Sequence, residues 1–352
     1  MKKRLLTSLL SVSIAISILS SDTVIDTFAE STFALKSAEL CYIENVLPDY
    51  LSAHDITSNN IYISQSYNVY NANLKSNASA NTYIVFEDND IIGLLNVDEN
   101  NGNYYSSFEY NDFSAIQELY NESESIAFVA YDENLFVESE FEVYSVEDCD
   151  INADLGVVNT TFSNISRNMY INNSLYNNNS PSYYYRKNIS VPIVLNDVCP
   201  LGHGLCWAAT VASKYDYITG ENISTIDLYN ILDELYDDHP IGYPIWDERA
   251  CDYLNMSYTY VGNMMNCADI YNNIRVNNPI GISLSRTGGA HAVLLCGITF
   301  LNDESGIYRI MDPNKTTYVD IAVSEDTMNG DEQLTYVTSY GYTYDNWFRS
   351  FY

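Results

Sequence analysis

Basic residues are scarce in this chain of 352 residues, where 15 Lys and Arg stand against 47 Asp and Glu, for a formal net charge of −32. Nucleic acids and anionic membrane surfaces bind proteins through basic faces, so neither is expected as a partner. Only four histidines are present, and the three in the C-terminal half are not closely spaced. The sequence therefore predicts no metal site, and we expect no cofactor.

Cysteine is also infrequent. Seven cysteines are too few for a disulfide scaffold, and their odd number leaves at least one thiol free or paired outside the chain. Whether Cys199, Cys251, Cys267 and Cys296 form pairs stays open from the sequence. An unpaired cysteine in a secreted chain is only a weak indication of a reactive thiol, unless its surroundings are special.

Long apolar runs are missing except near the N-terminus. There the charged residues 2–4 precede the uncharged, mostly apolar residues 5–19, and a small-residue site with Thr27 and Ala29 follows. This order predicts a signal peptide over residues 1–29, and hence a secreted, extracellular protein without stable membrane insertion. The alternative is an uncleaved anchor.

Residues 30–158 are rich in acidic side chains and are predicted to form a small α+β domain. The strand patterns lie at residues 82–86, 91–97, 126–131 and 135–137, and helical spacing occurs at residues 113–120. No catalytic constellation is visible in this domain. We therefore interpret it as a propeptide that inhibits the rest of the chain, the alternative being a permanent domain that binds a surface or a substrate.

A polar stretch, residues 159–187, follows and is rich in Asn, Ser and Tyr. Because it has little aliphatic content, it is predicted to be a linker. It ends in Arg186 and Lys187. This pair is either a site for a trypsin-like enzyme or simply the solvated start of the next domain.

Residues 188–352 are predicted to form a second α+β domain, with helices first and an antiparallel sheet second. The helical patterns cover residues 205–219, 224–236, 247–254 and 268–275, with Ser224 as an N-cap and Gly220 as a stop signal. The strand patterns cover residues 279–285, 291–300, 307–311, 318–323 and 334–344.

Cys206 lies at the start of the first of these helices. The positive end of the helix dipole and the unpaired N–H groups of a first turn both favour thiolate. Gly202 and Gly204 precede it and allow the backbone to turn sharply and to approach a substrate. The alternative is a buried structural cysteine beneath Trp207.

A base and a group that orients it can be found downstream. His291 opens a strand pattern directly after Gly288 and Gly289, which leave space beside it. The strand at residues 307–311 ends in Asp312. If the two strands pair antiparallel, Asp312 lies near His291 and can accept its second ring N–H. Taken alone, His291 could be a core histidine and Asp312 part of a turn.

These motifs together resemble the papain-like cysteine peptidases. Cys206 and Trp207, followed by two alanines, resemble the family's nucleophile helix; residues 289–293 resemble its histidine strand; and Asp312 followed by proline resembles the acidic member of compact bacterial relatives. The resemblance covers residues 191–352 and is greatest to streptopain-like secreted enzymes and bacteriocin-leader peptidases. It implies a two-lobed papain-like fold with a helical and an antiparallel β lobe, a thioester intermediate, and hydrolysis of peptide bonds.

The chain departs from the family's pattern around the nucleophile. Pro200 stands where the family's oxyanion-binding glutamine is usual, so Asn196 is the candidate for that role, with His203 as the other. Asn314 could replace Asp312 as the third catalytic residue, because papain has an asparagine there.

The sequence thus predicts a secreted cysteine endopeptidase made as a zymogen, acting on proteins or peptides. Its catalytic residues would be Cys206, His291, Asp312 and Asn196. The cleft would be bordered by Trp207, Gly204, Gly288 and Gly289. Two other functions remain open, a transglutaminase-like acyltransferase and a papain-fold protein that only binds.

Overall fold

The computed structural model describes residues 38–58, 60–110, 113, 116–119, 125–131, 134–139, 143–146, 163–164, 169–170, 183, 185–241, 245–301 and 305–352. The chain forms two compact units, residues 1–47 and 48–352. In the first unit, residues 38–47 are helical. The predicted signal peptide lies outside the described residues.

The second unit begins with a part made mostly of strands, residues 48–170, called here the N-terminal part. Residues 48–53 and 116–119 are helical. The strands are β1 Ile61–Ile63, β2 Tyr67–Asn71, β3 Ser76–Glu87, β4 Asp90–Asn100, β5 Asn103–Tyr110, β6 Ser125–Tyr131, β7 Asn134–Ser139, β8 Val143–Ser145, β9 Ser163–Asn164 and β10 Met169–Tyr170.

Residues 185–352, called here the C-terminal part, contain helices first and strands second. The helices are α1 Cys206–Thr219, α2 Thr225–Tyr236, α3 Ile245–Tyr253, α4 Cys267–Ile274 and α5 Glu325–Asn329. The strands are β11 Tyr185–Asn188, β12 Tyr260–Val261, β13 Ile280–Arg286, β14 Gly289–Phe300, β15 Ser305–Met311, β16 Tyr318–Ser324, β17 Tyr336–Val337, β18 Thr343–Tyr344 and β19 Asn346–Phe351.

Most of the predicted elements are confirmed to within two residues. Helix α1 ends where Gly220 takes a left-handed conformation, and the side chain of Ser224 caps α2 by accepting a hydrogen bond from the N–H of Asp227. The hairpin of β3 and β4 turns at the predicted place, with Glu87 opposite Asp90. The mixture of helices with a mostly antiparallel sheet confirms the α+β class.

The strand predicted over residues 334–344 is wrong. The segment folds back on itself as a short hairpin, in which β17 pairs with β18 and Tyr336 lies opposite Tyr344. Gly341 has a φ of +87°, a conformation that glycine adopts without strain, and it lies in the turn. The alternation of tyrosines through the segment imitates a strand, but the chain reverses between residues 338 and 342.

The N-terminal and C-terminal parts share one sheet. Strand β5 pairs antiparallel with β16, with Phe108 opposite Asp320, and so joins the strands of the two parts edge to edge. Within the predicted linker, β9 pairs with β6 and β10 with β1, while β11 pairs with β14. The rest of that stretch lies outside the described residues, apart from residue 183.

Two hydrophobic clusters form the core of the C-terminal part. One is built mainly on α1, α2 and α3, and the other on the sheet of β13 to β16. The first cluster includes Ala292 of β14, the residue after His291, so the start of α1 packs against the head of that strand. This packing brings the regions of Cys206 and His291 together.

Among the described residues, no helix is both long and apolar enough to cross a membrane. The six cysteines that the structure describes are free thiols: Cys41, Cys199, Cys206, Cys251, Cys267 and Cys296.

Candidate active site

Cys206 is the first residue of α1, and its thiol is half-buried. The N–H groups of a first helical turn have no acceptors within the helix, so they favour a negative charge placed at the helix N-terminus. The backbone N–H of Cys206 belongs to this turn. The thiol therefore lies at the positive end of the helix dipole.

His291 lies on β14 and is only 2% exposed. Its Nε2 donates a hydrogen bond to Oδ1 of Asp312 at 2.7 Å, since a carboxylate can only accept. The side chain of Cys206 lies close enough to His291 to contribute to its electrostatic environment. With Nε2 committed to the carboxylate, Nδ1 is the nitrogen left for the thiol.

The pairing of β14 with β15 brings Asp312 to this place. The strands are antiparallel, with Leu294 opposite Met311, so the residue after β15 lies beside the head of β14. Asp312 is fully buried and accepts four hydrogen bonds. Its Oδ1 accepts from His291 and from the backbone N–H of Asn314 at 2.9 Å, and its Oδ2 accepts from the hydroxyls of Tyr336 at 2.7 Å and Tyr340 at 3.1 Å.

The two side chains form a buried ion pair. Burial by itself lowers the pKa of His291, but the charge of Asp312 and the hydrogen bonds to it hold that pKa well above its usual range. For Asp312, burial raises the pKa, but the charge of His291 and the donated hydrogen bonds bring it down to about 2. The pair is thus charged at neutral pH, and the imidazolium can hold a thiolate beside it.

Asn196 connects the segment before Cys206 with the loop that carries Asp312. Its Oδ1 accepts a hydrogen bond from the N–H of Leu205 at 2.7 Å, and its Nδ2 donates to Oδ1 of Asn314 at 2.9 Å. Its backbone N–H donates to the carbonyl of Pro313 at 2.7 Å. A Cβ at Gly204 would lie 3.1 Å from Nδ2, so the side-chain amide lies against the turn that leads to Cys206.

Asn314 and His203 are the alternatives from the sequence, for the third catalytic residue and for the oxyanion donor, and they lie in different surroundings. The Asn314 side chain bonds to Asn196 and, through Nδ2, to the hydroxyl of Tyr340 at 3.4 Å, whereas the hydrogen bond to His291 comes from Asp312. His203 is exposed in the turn before α1, and its carbonyl accepts from the N–H of Cys199 at 2.9 Å.

The other residues predicted to border the cleft lie in the helical cluster and beside the turn between β13 and β14. Trp207 is 5% exposed and packs in the helical cluster, so its ring contributes to the core. Gly288, with a φ of +83°, lies in the turn between β13 and β14, and Gly289 is the first residue of β14, where it pairs with Arg286. Gly289 leaves room for the guanidinium of Arg286, which stacks on the ring of Tyr342 at 3.7 Å.

Three tyrosines of the C-terminal segment belong to the site and were missed from the sequence. Tyr336 and Tyr340 donate to Asp312, and the ring of Tyr344 stacks on that of His291 with 5.4 Å between centroids. Their spacing in the segment is regular, but the chain has 33 tyrosines, and no local signal separates these three from the others.

Within the described part of the chain, no group of three or more His, Cys, Asp or Glu side chains is arranged to hold a metal ion. The expectation that the protein uses no metal remains a prediction.

The chain was also compared with known proteins. No protein-family model matches it, and no curated protein is significantly similar to it. The functional argument therefore depends on the chain's own residues.

Proposed function

We propose that the chain is a secreted cysteine endopeptidase of the papain-like, two-lobed kind, with Cys206 as its nucleophile. The observation that carries the proposal is the hydrogen-bonded pair of His291 and Asp312, which lies beside Cys206 at the N-terminus of α1. A structural cysteine needs neither a protonated histidine nor a buried carboxylate behind it. The helical cluster and the sheet cluster would be the two lobes, each contributing to the site.

The reaction has two steps. The Cys206 thiolate attacks the carbonyl carbon of the peptide bond, and the carbonyl electron pair moves onto oxygen. As the C–N bond breaks, Nδ1 of His291 gives its proton to the departing amine and leaves a thioester on Cys206. His291 then takes a proton from water, the resulting hydroxide attacks the thioester, and Cys206 leaves as thiolate.

The negative oxygen formed in each step would be held by two donors, the backbone N–H of Cys206 and Nδ2 of Asn196. One hydrogen of that amide goes to Asn314, and the other is the one proposed for the oxyanion. Loss of one such donor typically costs about 2.7–4 kcal/mol of barrier. Gly204, Gly288 and Gly289 would let a protein or peptide substrate approach the thiol closely.

Labelling with an epoxysuccinyl probe, followed by mass spectrometry of the adduct, tests the proposal. Cys267 provides a matched control, because it too is a half-buried thiol at the first residue of a helix. Burial raises the pKa of the Cys267 thiol, and the side chain that acts on it is that of Tyr308 rather than a histidine. We expect label on Cys206 and no peptide hydrolysis by Cys206→Ala, with both unchanged in Cys267→Ala. Full hydrolysis by Cys206→Ala would refute the proposal.

Two other functions use the same fold. A transglutaminase-like enzyme would incorporate an added amine into peptides faster than it hydrolyses them. A protein that only binds would show no adduct on Cys206. The charged His291–Asp312 pair favours an enzyme, because a binding surface does not require it.

The zymogen remains part of this proposal. Residues 30–158 would inhibit the enzyme until export, and the polar stretch at residues 159–187 would be cut. Release of an N-terminal fragment together with a gain of activity would support the inhibitory role. Retention of the fragment in the active enzyme would favour a permanent domain.

A further inference from the structure

The carboxylate of Asp312 depends on two tyrosines, and these depend on the N-terminal part. We propose that Tyr336 and Tyr340 position Asp312 through their hydroxyls, and that the N-terminal part, by holding their hairpin, completes the catalytic centre. This second half of the proposal favours the permanent domain over a propeptide that is released. The proposal rests on the peptidase function proposed above. It concerns only how the third catalytic residue is held.

Both hydroxyls bond to the same oxygen. Oδ2 of Asp312 accepts from Tyr336 and Tyr340, while Oδ1 accepts from His291 and the N–H of Asn314. Since Asp312 is fully buried, water does not satisfy its charge, and the protein must supply every donor. The two phenols thus hold the carboxylate in the orientation that directs Oδ1 to His291.

The tyrosines lie on the hairpin of β17 and β18, residues 336–344. Tyr340, at its turn, is fully buried and packs in a hydrophobic cluster whose other buried members all belong to the N-terminal part. They include Tyr67, Ile84 and Phe128. The ring of a residue that touches Asp312 is therefore embedded in the N-terminal core.

Hydrogen bonds attach the backbone of the hairpin to the same part. Ser107 of β5 donates through its hydroxyl to the carbonyl of Val337, and Thr343 donates to Oδ2 of Asp98 at 2.6 Å. Asn71 donates to the carbonyl of Tyr340 at 3.4 Å. These contacts come from strands β2, β4 and β5, so much of the N-terminal sheet supports the hairpin.

The loop that carries Asp312 is attached as well. Lys315, three residues on, is fully buried; its Nζ lies 3.4 Å from Oε2 of Glu109 on β5 and donates to the hydroxyl of Ser339. A buried charge without its partner costs several kcal/mol, so this pair favours the arrangement in which the loop that carries Asp312 lies against β5.

Several charged or titratable groups surround the Asp312 carboxylate. They are His291 from β14, Tyr336 and Tyr344 from the hairpin strands, Tyr340 from its turn, Lys315 from the same loop and Glu109 from β5. His291 and the phenols stabilise the ionised form. Burial opposes it, so removal of phenols makes the carboxyl easier to protonate.

The test replaces the phenols and follows the pH dependence of Cys206 alkylation and of peptide hydrolysis. Tyr336→Phe and Tyr340→Phe keep the rings that pack the core. Each should shift the midpoint of the acid limb of both profiles to higher pH by roughly one unit, because Asp312 then protonates at higher pH. The variant that carries both Tyr→Phe substitutions should shift it by more. Tyr308→Phe is the control, a buried tyrosine whose hydroxyl lies beside Cys267. It should leave the profile unmoved.

A second variant tests the contribution of the N-terminal part. Ser107→Ala with Thr343→Val removes two hydrogen bonds to the hairpin, touches neither Asp312 nor His291, and keeps the volumes close to the original. The acid limb should again move upward, by less than in Tyr340→Phe. A purely structural role would lower the melting temperature without moving the limb.

The outcomes separate the two proposals. If the unaltered protein does not alkylate at Cys206, the peptidase function fails. If it does alkylate, the peptidase function stands. The positioning role of the tyrosines is then refuted if the Tyr→Phe variants keep the parent's pH profile. The role of the N-terminal part is refuted if Ser107→Ala with Thr343→Val keeps it.

Discussion

Asp312→Asn removes the charge that faces His291 and keeps the shape of the side chain. Lowering the pKa of Asp312 from 3.8 to about 2 corresponds to a contribution of about 2 kcal/mol to the free energy of unfolding. Because the folded-state pKa is lowered, this contribution is complete above pH 4 and is lost as the pH falls toward 2. The variant should therefore be less stable by about 2 kcal/mol at pH 7 and nearly as stable as the parent near pH 2.

The contribution of His291 to stability has the opposite pH dependence. Its pKa is raised by Asp312, so its contribution to stability is present below its usual pKa of 6.5 and is lost as the pH rises through the folded-state value. Without the charge of Asp312, burial dominates and the imidazole becomes neutral at pH 7. The thiolate then loses its cationic partner. In a Ser-His-Asp triad the equivalent change costs about 10⁴-fold in rate, and we expect a loss of about 10³-fold or more here.

The assay pairs urea unfolding with the rate of Cys206 alkylation, each measured from pH 3 to 9. Asp320→Asn is the matched control. Asp320 is also buried, its pKa is lowered, and it lies 2.7 Å from Nε2 of His54 and accepts from Arg309 at 2.8 Å. It should lose stability and keep the reactivity of Cys206. If Asp312→Asn alkylates at the parent's rate with the parent's pH profile, the catalytic assignment is wrong.

Three further predictions follow from the same contacts. Asn196→Ala should lower kcat by about 10²- to 10³-fold with a smaller change in KM; an unchanged kcat in steady-state kinetics would remove Asn196 from the oxyanion site. Gly288→Ala should destabilise the protein by about 1 kcal/mol, because φ is +83° there, and urea unfolding at neutral pH measures it. A specific protease site inserted between residues 171 and 182 and then cut should leave the N-terminal and C-terminal parts together on gel filtration, because β5 pairs with β16; separation would support a propeptide that is released.

Much of the proposed catalytic centre could be predicted from local patterns. Cys206 follows two glycines and opens an amphipathic helix, and the strand after Gly289 starts with His291. The next strand ends in Asp312. Because consecutive antiparallel strands pair side by side, the end of one lies beside the start of the previous one, and the two residues meet without knowledge of the rest of the fold.

The surroundings of these residues could not be predicted in that way. Tyr340 reaches Asp312 only because residues 338–342 reverse the chain, and the tyrosine pattern of the segment is compatible with a continuous strand. The pairing of Glu109 with Lys315 joins residues 206 positions apart, and nothing in either local sequence indicates the partner.

The sequence by itself determined the α+β class, the order of helices and strands, and the candidate Cys206, His291 and Asp312, because each depends on patterns within a few residues or on neighbouring strands. Only the tertiary structure decided that Asp312, rather than Asn314, bonds to His291, and that Tyr336 and Tyr340 bond to Asp312. It also decided that the N-terminal part, predicted as a separate domain on a linker, shares a sheet and a core with the C-terminal part. Contacts between distant residues depend on how whole sheets pack, and the local alternation of side chains does not encode that packing.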